Sequence, residues 1–243
     1  MSLLSVAKDV CAAVGVAYPT SVFSGISDSR TMQEMLAVAN EIAQRVAYDT
    51  RDWTRLRAVA NHVGDGAVVP PATVMTGTTA FTLPANYKRM LLTSNVWRTN
   101  YSHSPMKFIS DTDEWLNRRA RNSEDGGGEW TLLGGQIHTY PILPAGHTIY
   151  YAYVDKNCIE LRAPNGAYNG PGDTFLSDTD TYALDERLLK LGMIWEWKSR
   201  HGSPYAEDMG TYTDAIMNSM GRDQPAPIIY GRGSHTGADP WPS

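Results

Sequence analysis

The sequence predicts an α+β fold: a helical bundle built from the N- and C-terminal helices, an inserted antiparallel β-sandwich or barrel-like domain, and an extended C-terminal tail. Three observations carry this. Apolar residues recur at three and four spacing near both ends of the chain. Between them lie short alternating runs separated by Gly and Pro. Beyond Gly221, glycine and proline are too frequent for either element. The expected division is 1–62 and 175–221 for the bundle, 63–174 for the β-rich insertion and 222–243 for the tail.

Residues 2–14 carry Leu3, Val6, Val10, Ala13 and Val14, the stripe of an amphipathic helix. Gly15 stops it and Pro19 follows. The second helix opens on Thr31 and Glu34, a capping box. Met35, Ala39, Ile42, Val46, Trp53 and Leu56 continue it, with Asp49 in the one slot that should be apolar. Run through to Arg57, this helix would be about 40 Å long. That length suits a bundle or a subunit interface.

At His62 the character changes. Gly64, Gly66, Pro70 and Pro71 break any helix. Residues 80–83 alternate, and 90–97 read as a strand. Residues 129–133, Gly134-Gly135 and 136–142 read as a hairpin whose glycines supply the positive φ of a primed turn. Residues 148–154 are expected to pair back on this hairpin across Pro144, Ala145 and Gly146. Tyr151 and Tyr153 then take one face, and Tyr150, Ala152 and Val154 the other. One helix interrupts the strands. Ser110 with Asp113 caps it, Trp115, Leu116 and Ala120 form a thin stripe, and Glu114 and Arg118 pair at (i, i+4).

From Phe175 the helical period returns. Leu184, Leu188, Leu191 and Trp195 form a stripe, with Asp185 and Glu186 in the first turn and Lys198 and Arg200 in the last. Gly202 ends this helix, and Pro204 at a first helical position starts another through Met209, Tyr212, Ile216 and Met220. Trp195 and Trp197 stand two residues apart and cannot share a face. Trp197, pointing off the stripe, reads either as part of a wide buried face or as a sign that the helix is covered on two sides, by its own domain and by a neighbour. In the tail, Ile228, Ile229 and Tyr230 form an apolar triplet behind Pro225 and Pro227. Such a triplet is a liability unless a groove receives it. The tail is therefore expected to lack fixed structure in the free chain and to order on a partner. Trp197, Ile228, Ile229 and Tyr230 are the candidate partner contacts.

Composition narrows the chemistry. With 243 residues, 42% hydrophobic and 19% charged, the chain buries a core without staples. Its net charge of -5 argues against binding phosphates through bulk positive charge. Two distant cysteines, Cys11 and Cys158, make neither a disulfide framework nor a zinc ribbon. No apolar run approaches the ~18 residues of a membrane span, and residues 1–5 carry no export signal. Six histidines form no metal-ligand spacing; on the expected hairpin His138 faces Ala152 and His147 faces Leu143, so they share no metal. Asp178 and Asp180 suit turn and capping roles better than a calcium loop. Glycoside cleavage needs two carboxylates facing one cleft; Asp111, Glu114 and Glu129 are candidates, but a chain with 26 acidic residues always supplies candidates, so they carry almost no signal. No catalytic, cofactor or metal residue is expected.

Several segments in order carry a resemblance. They are Leu3-Leu4-Ser5-Val6-Ala7, Val14-Gly15-Val16, PTSV ending at Val22, Leu36-Ala37-Val38-Ala39-Asn40-Glu41 and Asp52-Trp53. Then come Phe81-Thr82-Leu83-Pro84-Ala85-Asn86-Tyr87, Val96-Trp97, Gly134-Gly135-Gln136-Ile137-His138-Thr139-Tyr140-Pro141 and YVDKN from Tyr153. Asp178-Thr179-Asp180-Thr181, Leu184-Asp185-Glu186, Leu191-Gly192 and Tyr205-Ala206-Glu207 complete the series. Over roughly residues 3–220 the chain resembles the head-to-tail adaptor (connector) proteins of tailed bacteriophages, the portal-adaptor family that includes podovirus tail tubular proteins. The resemblance implies a structural ring, of twelve subunits in that family, below the portal protein. It implies a link to the tail nozzle or tail tube, and a channel that double-stranded DNA passes without specific binding. It places the chain at the head-tail junction of the virion, and in the host cytoplasm during assembly, with no membrane partner. Two alternatives stand beside it. A peptidoglycan-cleaving, muramidase-like virion enzyme needs a convergent carboxylate pair in a cleft. A glycan-binding tail module needs an exposed aromatic platform within residues 68–154.

Overall fold

A computed structural model describes residues 2–24, 29–68, 75–91, 94–100, 104–121 and 127–223. The described chain is mixed α+β, with helices α1 (Leu3–Val14), α2 (Arg30–Tyr48), α3 (Thr112–Ala120), α4 (Glu186–Arg200) and α5 (Ala206–Arg222). Its strands are β1 (Arg57–Val63), β2 (Ala67–Val68), β3 (Met75–Thr76), β4 (Ala80–Thr82), β5 (Tyr87–Met90), β6 (Trp97–Arg98) and β7 (Lys107–Phe108). They continue with β8 (Glu129–Leu133), β9 (Gln136–Tyr140), β10 (Thr148–Asp155), β11 (Ile159–Arg162), β12 (Tyr168–Gly172) and β13 (Thr181–Tyr182). One four-stranded sheet orders β1-β10-β5 with β6 also on β10; a second orders β4-β9-β8-β7; β12-β11-β13 and the ribbon β2-β3 complete the set. No sheet closes into a barrel among the described residues.

Local chemistry sets the helix ends. Ser2 caps α1, and Gly15 leaves it in the left-handed conformation at φ 76°. Asp185 caps α4 by accepting from the Arg187 N–H. Helix α4 packs against α1, α2 and α5. The helical core gathers Leu3, Val10, Met35, Ile42, Leu188 and Met193. A second core unites both four-stranded sheets through Ala60, Trp130, Ile137, Ile149, Tyr151 and Tyr153.

Several expectations are corrected. Helix α2 has 19 residues, about 28 Å, and stops at Tyr48 instead of Arg57. The Thr50 hydroxyl and the Trp53 indole N–H both donate to the Val46 carbonyl at 2.7 Å, closing the last turn with side chains. Trp53 and Leu56 are buried all the same, delivered by a short 3₁₀ turn at Thr54–Leu56. Residues 90–97 are not one strand: β5 ends at Met90 and β6 begins at Trp97. Nor does β10 pair with β9. Both sides of β9 are occupied, by β8 and β4, and β10 lies between β1 and the β5/β6 pair. His138 accordingly sits opposite Ala80 and Thr131, and His147 hydrogen-bonds through its backbone N–H to Pro144.

The last correction concerns helix faces. In α4 the buried side is Leu188, Leu189, Gly192, Met193, Ile194 and Trp197, while Leu191 and Trp195 are half-buried, and half-buried Leu184 precedes the helix. In α5 Met209 is exposed, Ala215 joins Tyr212 in the core, and Pro204 precedes the helix instead of opening it. Helix α3 is capped by Asp111, not Ser110, and only Trp115 anchors it, with Leu116 and Ala120 exposed. The helix α5 also runs past Gly221, so Arg222 is helical and Asp223 is its cap.

Candidate functional site

The strongest surface feature is one face of the β1/β10/β6 sheet. The antiparallel register sets Val59 opposite Ala152, Asn61 opposite Tyr150 and Val63 opposite Thr148. It also sets Trp97 opposite Tyr150. Directly opposed residues share a face, as do alternate residues along a strand. Val59, Val63, Tyr150 and Trp97 therefore stand together. They are 72%, 59%, 39% and 43% exposed. The other face of the same strands carries Ala60, Ile149 and Tyr151, all buried. Asn61 is the one polar side chain between the two valines.

The carboxylates weighed for catalysis are tied up by structure. Glu129 is fully buried, and the Arg118 guanidinium donates to it. Arg118 also pairs with Glu114 at 2.8 Å, and these two acids raise the Arg118 pKa. Asp111 spends its side chain capping α3. Asp180, 1% exposed, accepts from the Leu176, Ser177 and Arg162 N–H groups at 2.7, 2.7 and 2.8 Å. Asp178 accepts from the Val22 N–H at 2.8 Å. The carbonyls of these two aspartates receive the Leu3 and Leu4 N–H groups at the start of α1. Both aspartates serve turns.

The histidines and cysteines are dispersed. His62 stacks between Phe81 and Tyr151, and burial lowers its pKa. His201 stacks on Trp197 at 4.3 Å. Cys11 and Cys158 are buried, and burial pushes the Cys158 thiol up to about 11. Among the described residues no group of three or more His, Cys, Asp or Glu could hold a metal ion. No described helix is long and apolar enough to cross a membrane. A groove of about 610 Å³ beside the start of α4 is lined by Arg55, Glu160, Arg162, Arg187 and Lys190 among others. Its charges are largely internally paired, Arg55 and Arg162 with Glu160 at 2.7 and 2.9 Å.

No protein-family model matches the chain, and no curated protein matches it. Of the four expected partner contacts, Ile228, Ile229 and Tyr230 lie outside the described residues. Trp197 is placed, and its own chain encloses it. It is 5% exposed and belongs to the helical core. Both sides of α4 are covered from within: Trp195 meets Tyr205 and Tyr212 at 6.5 and 6.0 Å, while Trp197 faces the groove that Ala13, Val14 and Thr31 line. Sequence reasoning did not bring Val59, Val63, Trp97 and Tyr150 together as one exposed face. The two valines stand four apart, a spacing that suits a helix face as well as a strand face.

Proposed function

We propose that this protein is a structural adaptor that works by association and not by catalysis. The observation that carries the reading is the face of Val59, Val63, Trp97 and Tyr150, four apolar side chains from three strands with no cover among the described residues. Monomers expose scattered apolar residues, but a contiguous group of this kind marks a contact surface. Aromatic residues dominate such contacts energetically. The ordered series of segments that resembles tailed-phage head-to-tail adaptors gives the contact its identity. In this reading the chain forms a ring below the portal protein, joins it to the nozzle or tail tube, and continues the DNA channel. The helices from both ends form the bundle, the sheets form the inserted domain, and the tail engages the portal or a neighbouring subunit. A net charge of -5 suits a conduit that must not hold passing phosphates.

Negative-stain electron microscopy and sedimentation of the purified chain, with and without the portal protein, test this. Rings on the portal are expected, and Trp97→Asp with Tyr150→Asp should disperse them while leaving the fold intact. Monomers that never engage a portal at any concentration would refute the reading.

One observation favours a second reading. Trp97 and Tyr150 are exposed cross-strand neighbours, the arrangement on which a sugar ring stacks. A glycan platform also needs polar groups for the ring hydroxyls, and this face offers Asn61 flanked by two valines. Glycan-array binding lost in Trp97→Ala would favour the glycan module over the adaptor.

A further inference from the structure

Strand β1 is the longest edge strand among the described residues. It pairs with β10 on one side, and no described strand pairs with the other. Edge strands are ordinarily blunted by shortness, proline, bulges or charge. The other described edges follow this rule. Strands β2, β3, β6, β7 and β13 have two residues each, and β4 has three. Strand β5 has four and meets β10 in an irregular register. Strand β12 has five and carries Gly170 and Pro171. Strand β1 runs for seven residues, RAVANHV, in unbroken register, with no proline or glycine and with Arg57 at its very start.

The direction of its backbone groups follows from the ladder. The Gly64 N–H donates to the His147 carbonyl at 2.7 Å, so even-numbered residues of β1 bond towards β10. On the far side of β10, the Ala152 and Thr148 carbonyls accept from Leu91 and Thr99. Ala152 and Thr148 stand opposite Val59 and Val63. The two observations agree: Arg57, Val59, Asn61 and Val63 aim their N–H and C=O groups at the open edge. The side chains of the same four residues are exposed.

This edge is complementary to itself. Two antiparallel copies of one strand are related by a two-fold axis, and the residue on the axis fixes every pair. With Asn61 on the axis, Val59 falls opposite Val63 of the second copy, and Asn61 opposite Asn61. Arg57 then falls opposite Asp65 of the second copy. Asp65 is exposed two residues beyond Val63, and its carboxylate is held by the Thr78 N–H and hydroxyl at 2.6 and 2.7 Å. Apolar meets apolar, amide meets amide, and positive meets negative. Neighbouring registers lose all three matches. An axis at Ala60 sets Val59 against Asn61 and Arg57 against Val63; an axis at His62 sets Val63 against Asn61 and Val59 against Asp65.

We propose that the free chain pairs with a second copy of itself, β1 against β1, antiparallel about a two-fold axis at Asn61. Val59, Asn61 and Val63 of each copy exchange backbone hydrogen bonds with Val63, Asn61 and Val59 of the other, about six in all. The sheet then continues from β10 of one copy, through both β1 strands, to β10 of the other. On its outer face one row reads Trp97, Tyr150 and Asn61, followed by Asn61, Tyr150 and Trp97 of the second copy. The two exposed faces join into one. A two-fold contact of this kind closes on itself and adds no third subunit. On the adaptor reading it must therefore open before subunits join a ring. The pairing is a state of the chain without its partner, and it neither rests on that reading nor falls with it.

Sedimentation of the purified full chain over a range of concentrations, without any portal protein, reads the association. Hydrogen exchange by mass spectrometry reads the edge. A monomer–dimer equilibrium is expected, with the Val59, Asn61 and Val63 amides exchanging about tenfold more slowly in the dimer and the α4 amides unchanged. Asn61→Pro removes a donor that faces the edge, a position where a folded strand tolerates proline, and should weaken the dimer by about tenfold or more. Cysteine variants read the register. Asn61→Cys should form a disulfide between two copies. Val59→Cys and Val63→Cys should each form none alone and should cross-link to one another when mixed. A chain that stays monomeric at every concentration would overturn the proposal. So would a dimer that Asn61→Pro leaves as tight as before, or a Val59→Cys chain that cross-links to itself. Slow exchange of the β1 amides that does not vary with concentration would overturn the assignment of the edge to a second copy.

Discussion

Gly192 of α4 packs closely against Ile42 of α2 and Tyr212 of α5, and replacing it tests that packing directly. A Cβ at Gly192 would stand 2.4 Å from Ile42 Cγ2 and 3.0 Å from Tyr212 Cε2. Ile42 is fully buried on α2, and its branched side chain has little freedom to retreat. Overpacking of this kind costs about 1–3 kcal/mol, and the severity of the overlap argues for the upper half. Alanine in place of glycine also improves helix propensity by about 1 kcal/mol. Gly192→Ala should therefore be destabilised by about 1–2 kcal/mol. Gly210 supplies the control. It lies within α5, and a Cβ there meets nothing within 4 Å. Gly210→Ala keeps the propensity gain alone and should be stabilised by up to about 1 kcal/mol. The two variants should separate by about 2–3 kcal/mol, or several degrees in Tm for a chain of this size. Urea unfolding of the three proteins measures this. A Gly192→Ala variant as stable as Gly210→Ala would show that α2, α4 and α5 do not meet at this point.

Three further outcomes follow from the buried polar and thiol groups. Asp180→Ala leaves three backbone N–H groups without their carboxylate and should cost about 3 kcal/mol or more by urea unfolding. His62 has a folded pKa below its ordinary 6.5, so the unfolded chain takes up the proton more readily. Its contribution to stability is complete above about pH 6.5 and is lost as pH falls through the folded pKa; His62→Gln should flatten that part of the profile of unfolding midpoint against pH. Both cysteine thiols are raised by burial, so the native chain should give no thiol reaction with a chromogenic disulfide reagent at neutral pH, and both should react in denaturant.

Legibility followed the range of the interactions. The Glu129–Leu133/Gln136–Tyr140 hairpin was readable because its turn is local: Gly134 and Gly135 adopt φ 57° and 75°, as a two-residue primed turn demands. The end of α1 was readable from Gly15 for the same reason, whereas Asp185, placed in the first turn of α4 by its charge, is that helix's N-cap. The end of α2 was not. Its apolar spacing continues through Trp53, and what stops the helix is the indole folding back onto the Val46 carbonyl. Asp49 was the one local hint, and it is the C-cap residue. The partner of β10 was hidden too, because β1 lies about ninety residues earlier in the chain and periodicity carries no pairing information. Missing β1 meant missing the exposed face, since two of its four side chains come from that strand. The faces of α4 were blurred by a run of apolar residues from Leu188 to Ile194, broken only by Lys190 and Gly192, where the stripe can be drawn more than one way.

The parity of β10 explains why that face is apolar at all. Ile149, Tyr151 and Tyr153 point into the core between the two four-stranded sheets. Val154, on the opposite side, is fully buried in the helical core. Ala152 and Tyr150 share that side with Val154, and β1 adds Val59 and Val63 to it. One continuous face thus begins as core at Val154 and ends exposed at Tyr150, Val63 and Trp97. The helices reach only its first part. Apolar residues at the buried end satisfy folding; those at the exposed end gain nothing from it, since water meets them in the free chain. On the adaptor reading proposed above, a second body continues the cover where the helices stop. A partner seated there would rest on the sheet and abut the helical core at once, holding the two halves of the subunit in one orientation.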